Sequence, residues 1–508
     1  MADNPDIAES FGFDTDEIPS DSTFRPARIT TRFDALLPTL NTAAKDIRAI
    51  SAECGASIGF DLGKIETGDT TDDDVSKRTV DRLLRRKGKE VLTELKEVAF
   101  PALSLSRPEN PIYDTETLLE TETVAAIEHE AANGAGESMG DLLNPDPELD
   151  DPFYEDGPTG ETLLSGIKDK SIEEIGEMMN AALRKVYLRA KPRLRELETK
   201  DGFRFGTRAQ VALDITYVAY YGEREGMKFL QGTPDGKEYE WCHKFGTVAI
   251  AGENTHYIVG VVPLGSEEYA DTVLYPGEDQ SYYIGDVTRR LLSIADEYVN
   301  ISRVYADREF YAADVIAAFE KRNLTYVVPA PKDDRIKRKC RKFHRLKRGY
   351  DEEHDTPLYV EDDWVIHGQV KQGVTNNKVY TNLVFLPPDE DDETHESGSP
   401  QPFATNLDVD DEIALDRRRA RHEIEKYNDR GAIENSYSSV KEAAAWTTSK
   451  AFEVRWFHFA FGCVVYNMWL LVDFLTQERL VVVETRKKPR IRLSRFLRWL
   501  EKELVTLL

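Results

Sequence analysis

The sequence predicts an α/β protein whose core is a mixed five-stranded sheet with helices on its faces. A β-rich insertion interrupts this core, and a helical N-terminal domain precedes it. Two observations predict this fold class. Between residues 206 and 334, apolar runs of strand length alternate with segments of helical periodicity. Hydrophobic residues make up 40% of the 508-residue chain, which is enough to build a buried core.

The predicted core begins with a near-continuous apolar strand at 210–218, in which Asp214 is the one acid. Hairpin-linked strands follow, and then two helix–strand units. Three hairpin-linked strands followed by right-handed crossovers give a mixed sheet, and this succession is that of a ribonuclease-H-like core without its last helix. In chain order, the later strands are predicted at 245–251, 256–262, 301–306 and 324–329, and the helices at 284–299 and 312–321.

Composition and periodicity divide the whole chain into six parts. The length alone predicts two to four domains. We expect an acidic disordered tail at 1–24, a helical N-terminal domain at 25–110, an acidic linker at 111–165, the first part of the core at 166–334, a β-rich insertion with a basic run at 335–410, and the second part of the core with C-terminal helices at 411–508.

Charge and cysteine content exclude several classes of protein. The formal net charge of −27 argues against a generic basic nucleic-acid coat protein or a polybasic membrane binder. Four scattered cysteines without a C-x-x-C pair make a disulfide framework improbable and suggest a reducing compartment. The apolar stretch 456–472 is at the short limit for a membrane span, so we expect a buried core helix instead. The chain is therefore expected to be cytoplasmic and without membrane contact.

Two aspartates are candidate catalytic groups. A lone acid inside a buried strand is costly unless it is paired or binds a metal, and Asp214 is such an acid. Asp307 directly follows the strand predicted at 301–306. The strand order expected for this fold places the two strands side by side, so the two carboxylates could converge. A turn or cap residue is the alternative for each acid taken alone.

A third group of candidates follows the insertion. Segment 427–441 has the spacing Y-(2)-R-(3)-E-(6)-K. On a helix, steps of three, four and seven residues return to one face, so these side chains can line one stripe. A solvated charged helix is the alternative, but a stripe that mixes an aromatic ring, a guanidinium, a carboxylate and an ammonium group is less typical of one. The four residues are Tyr427, Arg430, Glu434 and Lys441.

These three segments resemble the catalytic core of a DDE transposase, of the insertion-sequence group that carries the Y-(2)-R-(3)-E-(6)-K signature. The resemblance covers about 206–450 and aligns Asp214, Asp307 and Glu434 with the two aspartates and the glutamate of the family. The long gap before Glu434 is similar to that of members with a strand-rich insertion. The acidic composition resembles that of haloarchaeal proteins, whose insertion sequences include such transposases.

The resemblance implies a magnesium-dependent site. Asp214, Asp307 and Glu434 would hold two Mg²⁺ ions, for which Mn²⁺ could substitute, with Asp214 bridging both. Two such ions stabilise the attacking and the leaving oxygen of a phosphodiester, and hard Mg²⁺ prefers oxygen ligands. Arg430 and Lys441 would bind phosphate, and Tyr427 would offer a hydroxyl or a ring to the transposon end.

The implied function is a cut-and-paste DNA transposase. It would cleave transposon ends and join the 3′-hydroxyl ends to target DNA, as a homodimer in a synaptic complex. Its partners would be double-stranded terminal inverted repeats and target DNA, and the N-terminal helices around 79–97 are expected to bind the repeats. Basic runs at 184–195, 335–348 and 486–492 could form a local positive channel. The alternatives are a domesticated, catalytically idle DNA-binding protein and a structure-specific nuclease on the same fold.

Overall fold

The computed structural model describes most of the chain after residue 76. All of the described residues lie in the compact unit Val75–Leu508. The predictions for the tail at 1–24 and for the first part of the N-terminal domain fall outside them. The described ranges are 77–144, 157–201, 209–225, 227–233, 236, 238–251, 256–266, 281–347, 358–368, 378–387, 399–427, 431–479 and 489–507.

Helices precede the sheet. A π-helical segment, Leu95–Ala99, and a 3-10 turn, Phe100–Ala102, follow the first of them. The last of them, which carries the basic run at 184–195, is the longest of the set. These helices are α1 (Lys77–Glu94), α2 (Thr115–Glu128), α3 (Ala132–Leu143), α4 (Gly160–Lys168) and α5 (Ile172–Asp201).

The structure differs from the predicted acidic linker at 111–165, because most of its described residues form α2, α3 and α4. Helix α2 buries two acids that the sequence suggests should face water. Glu120 pairs with Lys96, and Glu122 accepts a hydrogen bond of 2.7 Å from the His458 ring. Both partners, Lys96 and His458, lie outside this segment. The acidic composition of the segment therefore does not show that it folds into the core.

The strands and helices predicted for the core are confirmed, with small shifts in their bounds. Two short strands were not predicted. In chain order the elements are β1 (Ala209–Tyr220), β2 (Leu230–Gly232), β3 (Trp241–Ile250), β4 (Ile258–Ser266), β5 (Ser281–Tyr282), α6 (Ile284–Asp296), β6 (Ile301–Ala306), α7 (Ala313–Lys321) and β7 (Thr325–Pro329).

The basic run after β7 forms a helix, whereas the sequence predicts a β-rich insertion from residue 335 onward. Its apolar residues Ile336, Cys340 and Phe343 are four and three residues apart, and all three are buried. This spacing is an amphipathic stripe. The remaining elements are α8 (Asp334–Lys347), β8 (Tyr359–His367), β9 (Lys378–Leu386), β10 (Gln401–Thr405), α9 (Ala414–Glu425), α10 (Gly431–Glu442), α11 (Phe452–Arg479) and α12 (Leu493–Leu507).

The strands of the described chain form one ten-stranded sheet in the order β5-β4-β3-β1-β6-β7-β10-β9-β8, with β2 paired to β3. Strand β1 is antiparallel to β3 and parallel to β6. The prediction of a five-stranded sheet is therefore corrected. The insertion strands extend the same sheet because β10 pairs antiparallel with β7 and so satisfies the backbone groups of its outer edge.

Successive residues of β3 contact helices on opposite sides of the sheet. A Cβ atom at Gly246 would lie 2.6 Å from Val287 of α6, so that helix approaches very closely here. The neighbouring Phe245 stacks on Phe459 of α11, with ring centroids 4.4 Å apart. We call the two sides the α6 face and the α11 face.

Helices α7 and α8 also lie on the α6 face. Arg289 of α6 forms a 2.8 Å ion pair with Asp314 of α7. Just before α7, the Tyr311 hydroxyl accepts a 2.9 Å hydrogen bond from the indole of Trp364 in β8. Arg335 of α8 lies over the ring of that same Trp364, 4.3 Å from its centroid. These contacts connect the three helices along one side of the sheet.

Helix α11 is the apolar helix that the sequence places in the core. Among the described helices, it is long and apolar enough to cross a bilayer, but 94% of its most apolar window is buried inside the protein. Its side chains pack on β3 and on α5, where the Trp456 indole donates a hydrogen bond of 3.3 Å to the Ile172 carbonyl. The helix thus serves as the central hydrophobic element of the α11 face.

Candidate active site

Asp214 lies in the middle of β1 and is 4% exposed. It is in register with Thr247 of β3, so both side chains are on the same face of the sheet. One carboxylate oxygen accepts a hydrogen bond of 2.7 Å from the backbone N–H of Ile215. Burying an acid in a central strand is costly unless it is paired or binds a metal, so an acid at this position favours a functional role.

Asp307 continues the hydrogen-bond ladder between β6 and β1. Leu213 and Ala306 are register partners in this parallel pair, and the Asp307 N–H donates to the Leu213 carbonyl at 3.2 Å. The backbone at Asp307 is extended, with φ −65° and ψ 165°. Asp214 and Asp307 therefore occupy the next adjacent positions of two neighbouring strands, on the same face.

Helix α10 lies over that face. The Tyr437 hydroxyl is hydrogen-bonded to the Thr247 hydroxyl, directly across the ladder from Asp214. One residue earlier, Ser436 is bonded to Tyr466 of α11 at 2.8 Å. These two contacts fix α10 between the sheet and α11, next to the buried aspartate.

Position 434 lies in the first turn of α10, three residues before Tyr437, and so nearly one helical turn away from it. The backbone of Glu434 is described, but its side chain lies outside the described residues, as does the whole of Arg430. The convergence of Glu434 on Asp214 and Asp307 stays a prediction.

The other two signature residues are at opposite ends of this region. Tyr427 is half-buried and packs edge-on against Phe403 of β10, with ring centroids 5.6 Å apart. Lys441 is in the last turn of α10. Burial raises the pKa of the Cys242 thiol, whereas the charges of Lys244 and Lys441 lower it.

The sequence does not predict an ion pair that lies next to Asp307. Glu309, in the 3-10 turn that follows Asp307, lies 3.5 Å from Lys244 of β3. Burial raises the pKa of the Glu309 carboxyl and lowers that of the Lys244 ammonium. The sequence Asp-Arg-Glu after a strand offered the signal for Glu309, but Lys244 could be found only from the strand register.

The donor set at Asp214 and Asp307 suits a hard divalent cation. Two adjacent carboxylates offer oxygen ligands of the kind that Mg²⁺ prefers. The described side chains include no group of three or more His, Cys, Asp or Glu that could hold a metal ion. That set does not include the Glu434 carboxylate.

Comparison with known proteins gives a distant structural likeness. No family model matches the chain, and no curated protein matches its sequence. Among solved structures, it is similar to a piggyBac transposase in a synaptic complex with hairpin DNA, at 11% identity and a TM-score of 0.39. The match covers 84% of this chain and 80% of that one. A likeness at this TM-score carries no weight in assigning a function.

Proposed function

We propose that this protein is a DDE-type DNA transposase that cleaves transposon ends and joins the 3′-hydroxyl ends to target DNA. One observation carries the proposal: Asp214 and Asp307 occupy adjacent ladder positions on one face of the sheet, beneath α10. A buried acid that shares one face of a sheet with a second acid from a distant part of the sequence is typical of a functional site.

The order of the central strands supports a ribonuclease-H-like core as part of this proposal. Strands β4, β3 and β1 are antiparallel neighbours, and β1, β6 and β7 are parallel neighbours. This is the mixed arrangement that the sequence predicts. The acids lie where β6 ends beside the middle of β1, which is the kind of strand end where ligand sites form in α/β sheets.

In this proposal Asp214, Asp307 and Glu434 would hold two Mg²⁺ ions, for which Mn²⁺ could substitute. The ions would supply Lewis-acid stabilisation to the attacking and the leaving oxygen of the phosphodiester. Asp214 has little contact with solvent, and the Ile215 N–H keeps its carboxylate oriented. The Tyr437–Thr247 bond holds α10 in place beside it.

Tyr427, Arg430 and Lys441 would bind the DNA. Lys441 follows Tyr437 by about one helical turn on α10, so its ammonium group could contact a phosphate beyond the acid pair. The partners would be terminal inverted repeats and target DNA, bound by a homodimer in a synaptic complex. The proposed location is the cytoplasm, in association with the nucleoid.

The test is cleavage of duplex DNA that carries the ends of the element, with Mg²⁺ or Mn²⁺ in high potassium chloride. Asp214→Asn, Asp307→Asn and Glu434→Gln should each lower cleavage on the order of 10³-fold or more while end binding persists. The matched control is Asp314→Asn, which changes an acid on the α6 face and should leave cleavage within about 3-fold. Full cleavage by any of the three variants would contradict the proposal.

The same assay separates the alternatives. A transposase joins 3′-ends to target DNA, whereas a structure-specific nuclease on the same fold only nicks. A domesticated DNA-binding protein would bind the ends and yield neither product.

A further inference from the structure

Helix α8 carries a dense positive charge in an acidic protein. Between Asp334 and Phe343 it has six basic residues and one acid, a net charge of +5, whereas the whole chain has −27. Charges farther apart than a Debye length of about 8–10 Å are largely screened at ordinary ionic strength. A polyanion at α8 therefore experiences the local charge more than the total. The six are Arg335, Lys337, Arg338, Lys339, Arg341 and Lys342.

Three of these six side chains hold the helix on the sheet. Arg335 lies over the Trp364 ring, 4.3 Å from its centroid, and donates to the Val365 carbonyl at 3.2 Å. Lys339 pairs with Glu361 of β8. Lys342 donates to the Tyr359 hydroxyl at 2.6 Å. Together with the buried apolar stripe of α8, these contacts fix the orientation of the helix.

The remaining three basic side chains point away from the sheet. Lys337, Arg338 and Arg341 are exposed, and they are separated by one, three and four positions. Residues three and four apart are neighbours on a helix surface, so the three charges form one patch. The rise from Lys337 to Arg341 is about 6 Å, over which a DNA duplex carries roughly three to four phosphate charges. We call these three residues the α8 patch.

The α8 patch is on the opposite side of the sheet from the candidate active site. Helix α8 lies on the α6 face, through Trp364 and Tyr311. Asp214 is on the other face, opposite Thr247, whose hydroxyl contacts Tyr437 of α10. A straight duplex segment in contact with Asp214 therefore has the sheet between itself and the α8 patch.

We propose that the α8 patch is a second DNA site, which binds the phosphate backbone of a duplex segment other than the one being cleaved. This inference rests on the proposed function for the choice of DNA as the polyanion. The contacts would be independent of base sequence, because lysine and arginine on phosphates position a duplex without reading it. A membrane surface fits less well, since the apolar stripe of α8 is already buried against the sheet and cannot insert.

The test is a salt titration of binding to a duplex of unrelated sequence, monitored by fluorescence anisotropy between 50 and 200 mM potassium chloride. The variant Lys337→Gln/Arg338→Gln/Arg341→Gln keeps a good helix former at each position. We call the slope of the logarithm of the binding constant against the logarithm of the salt concentration the salt slope. For the variant we expect its magnitude to fall by about 3, roughly 1 for each lost phosphate contact. The affinity at low salt should fall at least about 10-fold. The matched control, Lys168→Gln/Lys228→Gln/Lys321→Gln, removes the same net charge elsewhere and should bind within about 2-fold of wild type.

A wild-type slope in the α8 variant, or an equal loss in the control, would overturn the inference. So would a variant that loses binding to vesicles of anionic lipid while it still binds DNA normally. Cleavage of a short terminal-repeat duplex separates the two proposals. If only the proposal of a second DNA site at the α8 patch is correct, Asp214→Asn keeps the full salt slope even where no cleavage is seen. If the proposed function alone is correct, the α8 variant cleaves short ends but its salt slope is unchanged.

Discussion

The two faces of the sheet bury different kinds of side chain along the same strands. On the α11 face, β1 and β3 present Asp214, Thr247 and His243, all of them polar and buried. On the α6 face, β3 presents Gly246, which α6 approaches closely through Val287. Because side chains alternate along a strand, the two environments are one residue apart. Along β1 and β3, the α11 face therefore combines polar groups with the apolar core, whereas the α6 face is packed closely against a helix.

The largest stability effect should come from the apolar part of the α11 face. Phe245 is fully buried and stacks on Phe459 and Trp456. Phe245→Ala should lower the free energy of unfolding by about 3–5 kcal/mol, because it removes a large side chain and leaves a cavity. Denaturant titration measures this loss. A loss under about 1 kcal/mol would show that the α11 face can collapse around the cavity.

His243 makes the α11 face sensitive to acid. Burial, followed by the charge of Arg455, lowers its pKa from 6.5 to about 4, while its ring contacts the Phe229 carbonyl at 3.1 Å. The unfolded chain therefore binds a proton at a higher pH than the folded chain does. Stability should fall as the pH decreases from 6.5 towards 4, by roughly 3 kcal/mol in total.

The measurement for His243 is the free energy of unfolding as a function of pH. His243→Gln should flatten the curve between pH 6.5 and 4. The control His422→Gln changes an exposed histidine and should leave the curve as in wild type. An unchanged curve in His243→Gln would show that other groups cause the acid sensitivity.

Gly246 probes the α6 face in the same strand. Its added Cβ would lie 2.6 Å from Val287 and 3.3 Å from Leu291. Gly246→Ala should destabilise the protein by about 1–3 kcal/mol through overpacking. Gly246→Ala/Val287→Ala should recover part of that loss, since it removes the nearest atom. Equal stability of the single variant and wild type would mean that α6 can shift outward at no cost.

A matched pair of hydroxyl contacts provides the smallest and sharpest test. Tyr437 meets Thr247 on the α11 face, and Tyr326 meets Thr381 at 2.8 Å on the other. Tyr437→Phe and Tyr326→Phe should each cost about 1 kcal/mol of stability. Only Tyr437→Phe should also slow DNA cleavage, because it releases α10 from the strand next to Asp214. Equal effects on cleavage would remove α10 from the candidate site.

Local pattern was enough to predict the elements of the core. The apolar run of β1, the hairpin of β3 and β4, and the helices α6 and α7 are each visible in a short window. The position of Asp214 in a central strand followed from the same windows. The adjacency of Asp214 and Asp307 could be expected from the predicted strand order, and their ladder positions are consistent with it.

Non-local pairing could not be predicted. The pairing of β10 with β7 joins residues 74 to 78 positions apart, and no local signal identifies the insertion as part of the same sheet. The acids of α2 look solvent-exposed in sequence because their partners, Lys96 and His458, lie elsewhere. The apolar residues of α8 recur at a helical spacing of four and three, but the many basic residues between them hide this pattern in the sequence.

Strand β1 pairs with β3 along one edge and with β6 along the other. A shift of β1 by a single residue would move Asp214 to the wrong side of the sheet. The shift would also break the antiparallel hydrogen-bond ladder with β3 and the parallel ladder with β6 at the same time. The spacing of the two aspartates is thus set by main-chain bonds, which do not depend on side-chain identity. Many substitutions on the surrounding surface should therefore leave the relative position of the two acids unchanged.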